Sequence, residues 1–75
     1  MDPITITATD LEAAVITAHR VLGQHPDIRQ DHPSSCHLID RTHDELAHRA
    51  RLAARRDGAP CAIICYQGDE IARYA

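Results

Sequence analysis

The chain alternates apolar and polar positions at its start, settles into a helical period, and returns to alternation near its end. Residues 3–8, Pro-Ile-Thr-Ile-Thr-Ala, put β-branched apolar and polar side chains on opposite sides of an extended backbone, which predicts a strand with one buried face. Thr9 then opens a helix, because Glu12 follows at the spacing of a capping box, in which each side chain satisfies the other's orphan backbone N–H. Leu11, Val15, Ala18 and Leu22 recur at helical spacing, with Ala14 widening the stripe. Gly23 supplies a left-handed stop and Pro26 blocks continuation.

Residues 24–35 hold two prolines and a serine pair, which predicts a loop. Within it, Asp27 to Gln30 are expected to pair briefly as an edge strand before the chain turns back. Cys36 to Asp40 predict a second strand. Thr42 and Glu45 repeat the capping-box spacing, and a helix is expected from His43 to Arg56 with Leu46, Ala50 and Ala53 inward. Asp57-Gly58 ends it. Cys61 to Gln67 form the strongest strand, apolar on both faces as a central strand is. Gly68-Asp69 predicts a tight turn, and Glu70 to Tyr74 return as the antiparallel partner. Residues Ile6–Ala14 and Ile39–Ala47 echo one another, as two strands each feeding a capped helix would. The expected order is βα(β)βαββ: one α+β domain over residues 1–75, with a small mixed, largely antiparallel sheet and two helices packed on one face.

Composition limits what such a domain can do. A chain of 75 residues buries only about 60% of the surface its unfolded form exposes, so a deep substrate pocket is hard to build. There is no Phe or Trp, and the core must come from Ile, Leu, Val, Ala and two tyrosines. That thin core and an exposed sheet edge favour a homodimer. The net charge of −3 argues against nucleic-acid binding through overall charge. Residues 1–9 lack the basic and apolar regions of a secretory signal, and no run is long enough to span a membrane. With three cysteines, an odd number, the expectation is a reduced protein of the cytoplasm.

Four patterns raise the question of chemistry. His32, Cys36, His37, His43 and His48 crowd together, but Cys36 and His37 would point to opposite faces of a strand. His43 and His48 are five apart, about 140° around a helix, so Thr-His-Asp-Glu-Leu-Ala-His lacks the geometry of a zinc-binding helix. Cys61 and Cys65 share a strand face with Ile63 and read as core, not as nucleophiles. Asp40, Asp44 and Glu45 are accounted for by the helix dipole. Neither catalytic residues, nor a metal site, nor a cofactor is therefore expected. The fourth pattern is basic. All eight basic residues are arginine; Arg51 and Arg55 lie one turn apart behind His48, and Arg49 and Arg56 form a second exposed row. Arginine forks suit phosphate or an acidic protein surface, and no aromatic side chains interleave them for base stacking. Asp69, Glu70, Arg73 and Tyr74 on the terminal hairpin complete the candidate partner-binding set, since arginine and tyrosine favour interface centres.

The helix opening Thr-Asp-Leu-Glu-Ala-Ala and the closing hairpin Cys-Tyr-Gln-Gly-Asp-Glu-Ile-Ala-Arg-Tyr, in a chain this short, resemble small phage-encoded proteins, most of all the anti-CRISPR inhibitors of type I systems. The likeness is architectural and carries no catalytic residue with it. It implies a non-enzymatic, protein-binding inhibitor that engages the host's RNA-guided surveillance complex, Cascade, and disturbs its DNA recognition. In that setting Asp40, Asp44, Asp69 and Glu70 would face the basic nucleic-acid channel, or the arginine helix would make the contact. The alternative expectation is a small nucleic-acid-binding regulator that uses the arginine-rich second helix.

Overall fold

The computed structural model describes residues 1–75. The elements run β1 (Ile4–Thr7), α1 (Asp10–Gln24), α2 (Pro26–Asp31), α3 (Pro33–Asp57), β2 (Ala62–Tyr66) and β3 (Asp69–Tyr74). The three strands form one mixed sheet in the order β1-β2-β3. β1 pairs parallel to β2 with Ile4 opposite Ala62, and β2 pairs antiparallel to β3 with Ala62 opposite Tyr74. The α+β class and the central place of the most apolar strand are as expected.

The middle of the chain is not. Cys36–Asp40 is helix rather than strand, and α3 is one continuous helix of 25 residues, about 37 Å long. Its buried residues, Cys36, Leu46, Ala47, Ala50 and Ala54, continue a single stripe that the short Cys-His-Leu-Ile-Asp alternation conceals. Asp27–Gln30 is likewise helical, within α2, and not an edge strand. Both prolines that mark a loop by composition stand in the first turn of a helix. Proline is tolerated there because its missing N–H would have had no helical partner. Thr42 is therefore not a cap: it lies inside α3 and its hydroxyl donates to the Leu38 carbonyl at 2.9 Å.

The left-handed stop expected at Gly23 is absent, since Gly23 lies inside α1 without a positive φ and His25 closes the helix. Two other helix ends hold for the physical reasons given above. Thr9 and Glu12 form the full capping box, with hydrogen bonds of 3.0 and 3.2 Å. Gly58, at φ 70°, closes α3 in the left-handed conformation that favours glycine. The hairpin turn falls one residue earlier than expected: Gln67 and Gly68 both take positive φ, 51° and 86°, and Asp69 already pairs with Tyr66.

The core lies between the helices and one face of the sheet. Ala8, Ile16, Leu46, Ala47, Ala50, Ala54, Ala62, Ile64 and Tyr74 form one buried cluster, with Ile4 and Ile6 packed against it. On α1 the buried stripe is Ala13, Ile16 and Leu22 rather than one starting at Leu11, which is 71% exposed. The opposite sheet face carries Thr5, Thr7, Ile63 and Cys65, the threonines exposed and the other two half-buried. No helix is long and apolar enough to cross a membrane.

Candidate functional site

α3 presents two flanks of opposite character. On the flank toward α1 and β3, polar side chains are used up inside the molecule. The His19 and His43 rings stack with centroids 3.7 Å apart and planes within 3°. The Tyr74 hydroxyl lies 3.1 Å from His43 Nε2, and the two rings meet edge to face. Asp40 pairs with Arg29 of α2, and its other oxygen stands 3.6 Å from His19 Nε2. Arg51 lies 5.7 Å over the Tyr74 ring and donates through Nε to the Ala75 carbonyl at 3.1 Å.

Burial sets the protonation states in this cluster. It pushes the Tyr74 hydroxyl up from its ordinary value, and that hydroxyl shares one hydrogen bond with His43 Nε2. Burial also holds His43 below the usual histidine range; the nearby His19 and Arg51 add to the effect and Asp44 opposes it. His43 Nδ1 is buried without a hydrogen-bond partner, its nearest acid being Asp44 at 3.8 Å. A charged imidazole here would face the Arg51 guanidinium and give up much of its hydration.

The flank toward β1 is open. Arg49 Nη2 donates to Glu12 Oε1 at 3.0 Å across the start of α1. The Thr9 backbone N–H, and Arg49 after it, hold the Glu12 carboxyl below its ordinary value against the opposing effect of burial. Beneath this pair runs a crevice of about 220 Å³ lined by Ile6, Leu46, Ala50, Ala53 and Ile64. Arg49 and Ala53 also border a second, outer groove together with Leu52 and Arg56. Leu52 is 48% exposed.

The sequence-derived candidates therefore do not meet at one surface. Arg49 and Arg56 border the open groove, and Arg55 is exposed beside them; neither Arg55 nor Arg56 forms an ion pair. Arg51 is engaged with Tyr74 and Ala75 on the other flank. Asp69 sits at the hairpin turn, and Glu70 and Arg73 pair with each other at 2.7 Å on β3. Tyr74 is a correction: only 7% exposed, its ring completes the core and offers a partner no surface. Of the two hairpin tyrosines, Tyr66 and Tyr74, it is Tyr74 whose ring is buried, as an aromatic-poor core needs.

His37 and His48 line the outward face of α3 together with Asp40, Arg41, Asp44 and Glu45, all from one helix. No three His, Cys, Asp or Glu side chains converge closely enough to hold a metal ion. Cys36, Cys61 and Cys65 are free thiols; Cys36 is buried, its Sγ 3.4 Å from the Arg29 carbonyl.

Sequence reasoning missed the His19–His43 stack and the Glu12–Arg49 bridge. A signal was present for the first. His19 follows Ile16 by three residues, and His43 precedes Leu46, Ala47 and Ala50 at helical spacing, so each histidine extends a buried stripe. Compared with known protein families, curated proteins and solved structures, the chain matches none.

Proposed function

We propose that this chain is a non-enzymatic protein-binding inhibitor that docks onto another protein through the C-terminal half of α3. One observation carries the reading. Leu52 is exposed between guanidinium groups, and two of these, Arg55 and Arg56, have no acid of their own chain to pair with. An exposed apolar side chain ringed by arginines combines desolvation with charge-assisted hydrogen bonding, the pairing that interface centres favour. The architectural resemblance to type I anti-CRISPR proteins supplies the first partner to test, a Cascade subunit.

The test is capture by the tagged protein from lysate of a GC-rich bacterium carrying a type I CRISPR system, read by mass spectrometry. Recovery of Cascade subunits at near-physiological salt, lost on Arg55→Glu with Arg56→Glu, is the expected result. Recovery of nucleic acid alone, with affinity falling steeply as salt rises, would replace this reading with the nucleic-acid regulator. Recovery of nothing would remove it.

A further inference from the structure

We infer that the gap between β1 and the open flank of α3 is a groove for an extended segment of a partner protein, one that carries an aliphatic side chain beside carboxylates. The inference rests on the protein-binding reading and names the chemistry that the partner must bring.

Three features of the groove select this occupant. The first is shape and polarity. The inner crevice is walled by Ile6, Ala53 and Ile64 among others, and holds about 220 Å³. An apolar cavity of about 150 Å³ already accepts a benzene-sized guest, so one branched aliphatic side chain fits. The second is charge. The outer groove is formed by Arg49, Leu52, Ala53 and Arg56 and contains no acid; the one acid of the inner crevice, Glu12, is already paired with Arg49. Arg56 forms no ion pair, and Arg49 spends only Nη2 on Glu12, leaving other donors of its fork free. The Glu12 carboxylate, seated on Arg49 at 3.0 Å, shows that a carboxylate fits against this wall. A cationic segment would be repelled there.

The third feature is the backbone of β1, which is an edge strand. The Ile4 and Ala8 N–H groups donate to the Cys61 and Cys65 carbonyls at 3.2 and 2.8 Å, toward β2. In a parallel ladder the residues between them, Thr5 and Thr7, turn their backbone groups the other way, to the unpaired side. An extended segment added there gains main-chain hydrogen bonds, and its alternate side chains fall on the helix-covered side, at the crevice. A nucleic acid meets the arginines but has nothing to place among Ile6, Ala53 and Ile64.

The experiment is selection of a displayed random dodecapeptide library on the full chain, followed by affinity measurement on synthetic copies of the recovered peptides. The expected pool is enriched in Leu, Ile, Val or Met with Asp or Glu within two residues. Ala53→Leu, which fills the crevice from a half-exposed helix position, and Arg56→Glu should each weaken binding at least tenfold. Arg41→Glu, on the outward face, should leave it unchanged. Thermal melts of the variants separate lost binding from lost folding. A pool without acidic enrichment, or peptides held equally by folded Ala53→Leu and Arg56→Glu, overturns the inference. So does displacement by a single-stranded oligonucleotide that ignores Ala53→Leu, or a pool that matches this chain's own hairpin, which would make a second copy the occupant. Capture of Cascade unaffected by Ala53→Leu would sink the groove and spare the protein-binding reading; the expected peptides without any captured partner would do the reverse.

Discussion

Both flanks of α3 carry arginines and use them differently. Toward α1 and β3, His43, Asp40 and Arg51 are committed to His19, Arg29, Tyr74 and Ala75. Toward β1, Arg49 is half committed and Arg56 not at all. Committed polar groups in a small core hold the fold, since each would be costly to leave unpaired. Uncommitted ones beside exposed Leu52 cost the fold nothing and remain available to a partner. For the arginines the difference is one of neighbours, because Arg51, Arg49 and Arg56 have the same chemistry on both sides.

Substitutions should separate the flanks, with the largest effects on the closed one. Tyr74→Ala removes a buried ring and the partner of His43, and should destabilise by about 3–5 kcal/mol in denaturant unfolding. A loss under about 1 kcal/mol would mean that the closed flank is not a core. Tyr74→Phe keeps the ring and removes only the hydroxyl, for a cost of about 1 kcal/mol.

Acidification should act on the same flank. The folded protein holds His43 below 6.5, its ordinary value, so near that pH the unfolded chain binds more protons than the folded one. His43 therefore contributes full stability above about pH 6.5, and that contribution declines as pH falls toward its depressed folded value. Unfolding followed from pH 8 to 5 should show this slope, and His43→Gln should flatten it. An unchanged slope in that variant would assign the dependence to other groups.

The open flank should give the smallest effects on stability. Arg56→Glu should shift it by no more than about 0.5 kcal/mol. Arg49→Ala, which breaks an exposed pair with Glu12, should cost less than about 1 kcal/mol. Partner binding should move the other way: strongly reduced by Arg56→Glu and untouched by Tyr74→Phe.

What could be read from the amino-acid sequence follows the reach of the backbone rules. The Thr9–Glu12 capping box, the glycine stop at Gly58, the central apolar strand and the closing hairpin are each decided within a few residues, and all are present. Where two local rules competed, the outcome depended on more of the chain. Pro26 and Pro33 satisfy a loop and a helix start equally well, and Cys36–Asp40 satisfies a short strand and a helical stripe. Joining that stripe to Leu46, Ala50 and Ala54 continues it into the core, while Cys36 is buried beside α2, and those tertiary gains chose the helix. The site lay further still from local rules. Arg49 meets Glu12 across 37 positions, and His43 meets Tyr74 across 31. The sequence by itself determined that arginines would line α3 in two rows. Only the packing of α3 between α1 and β1 decided which row is spent on the fold and which stays free, because an arginine's role depends on whether an acid, a carbonyl or a ring is brought within its reach.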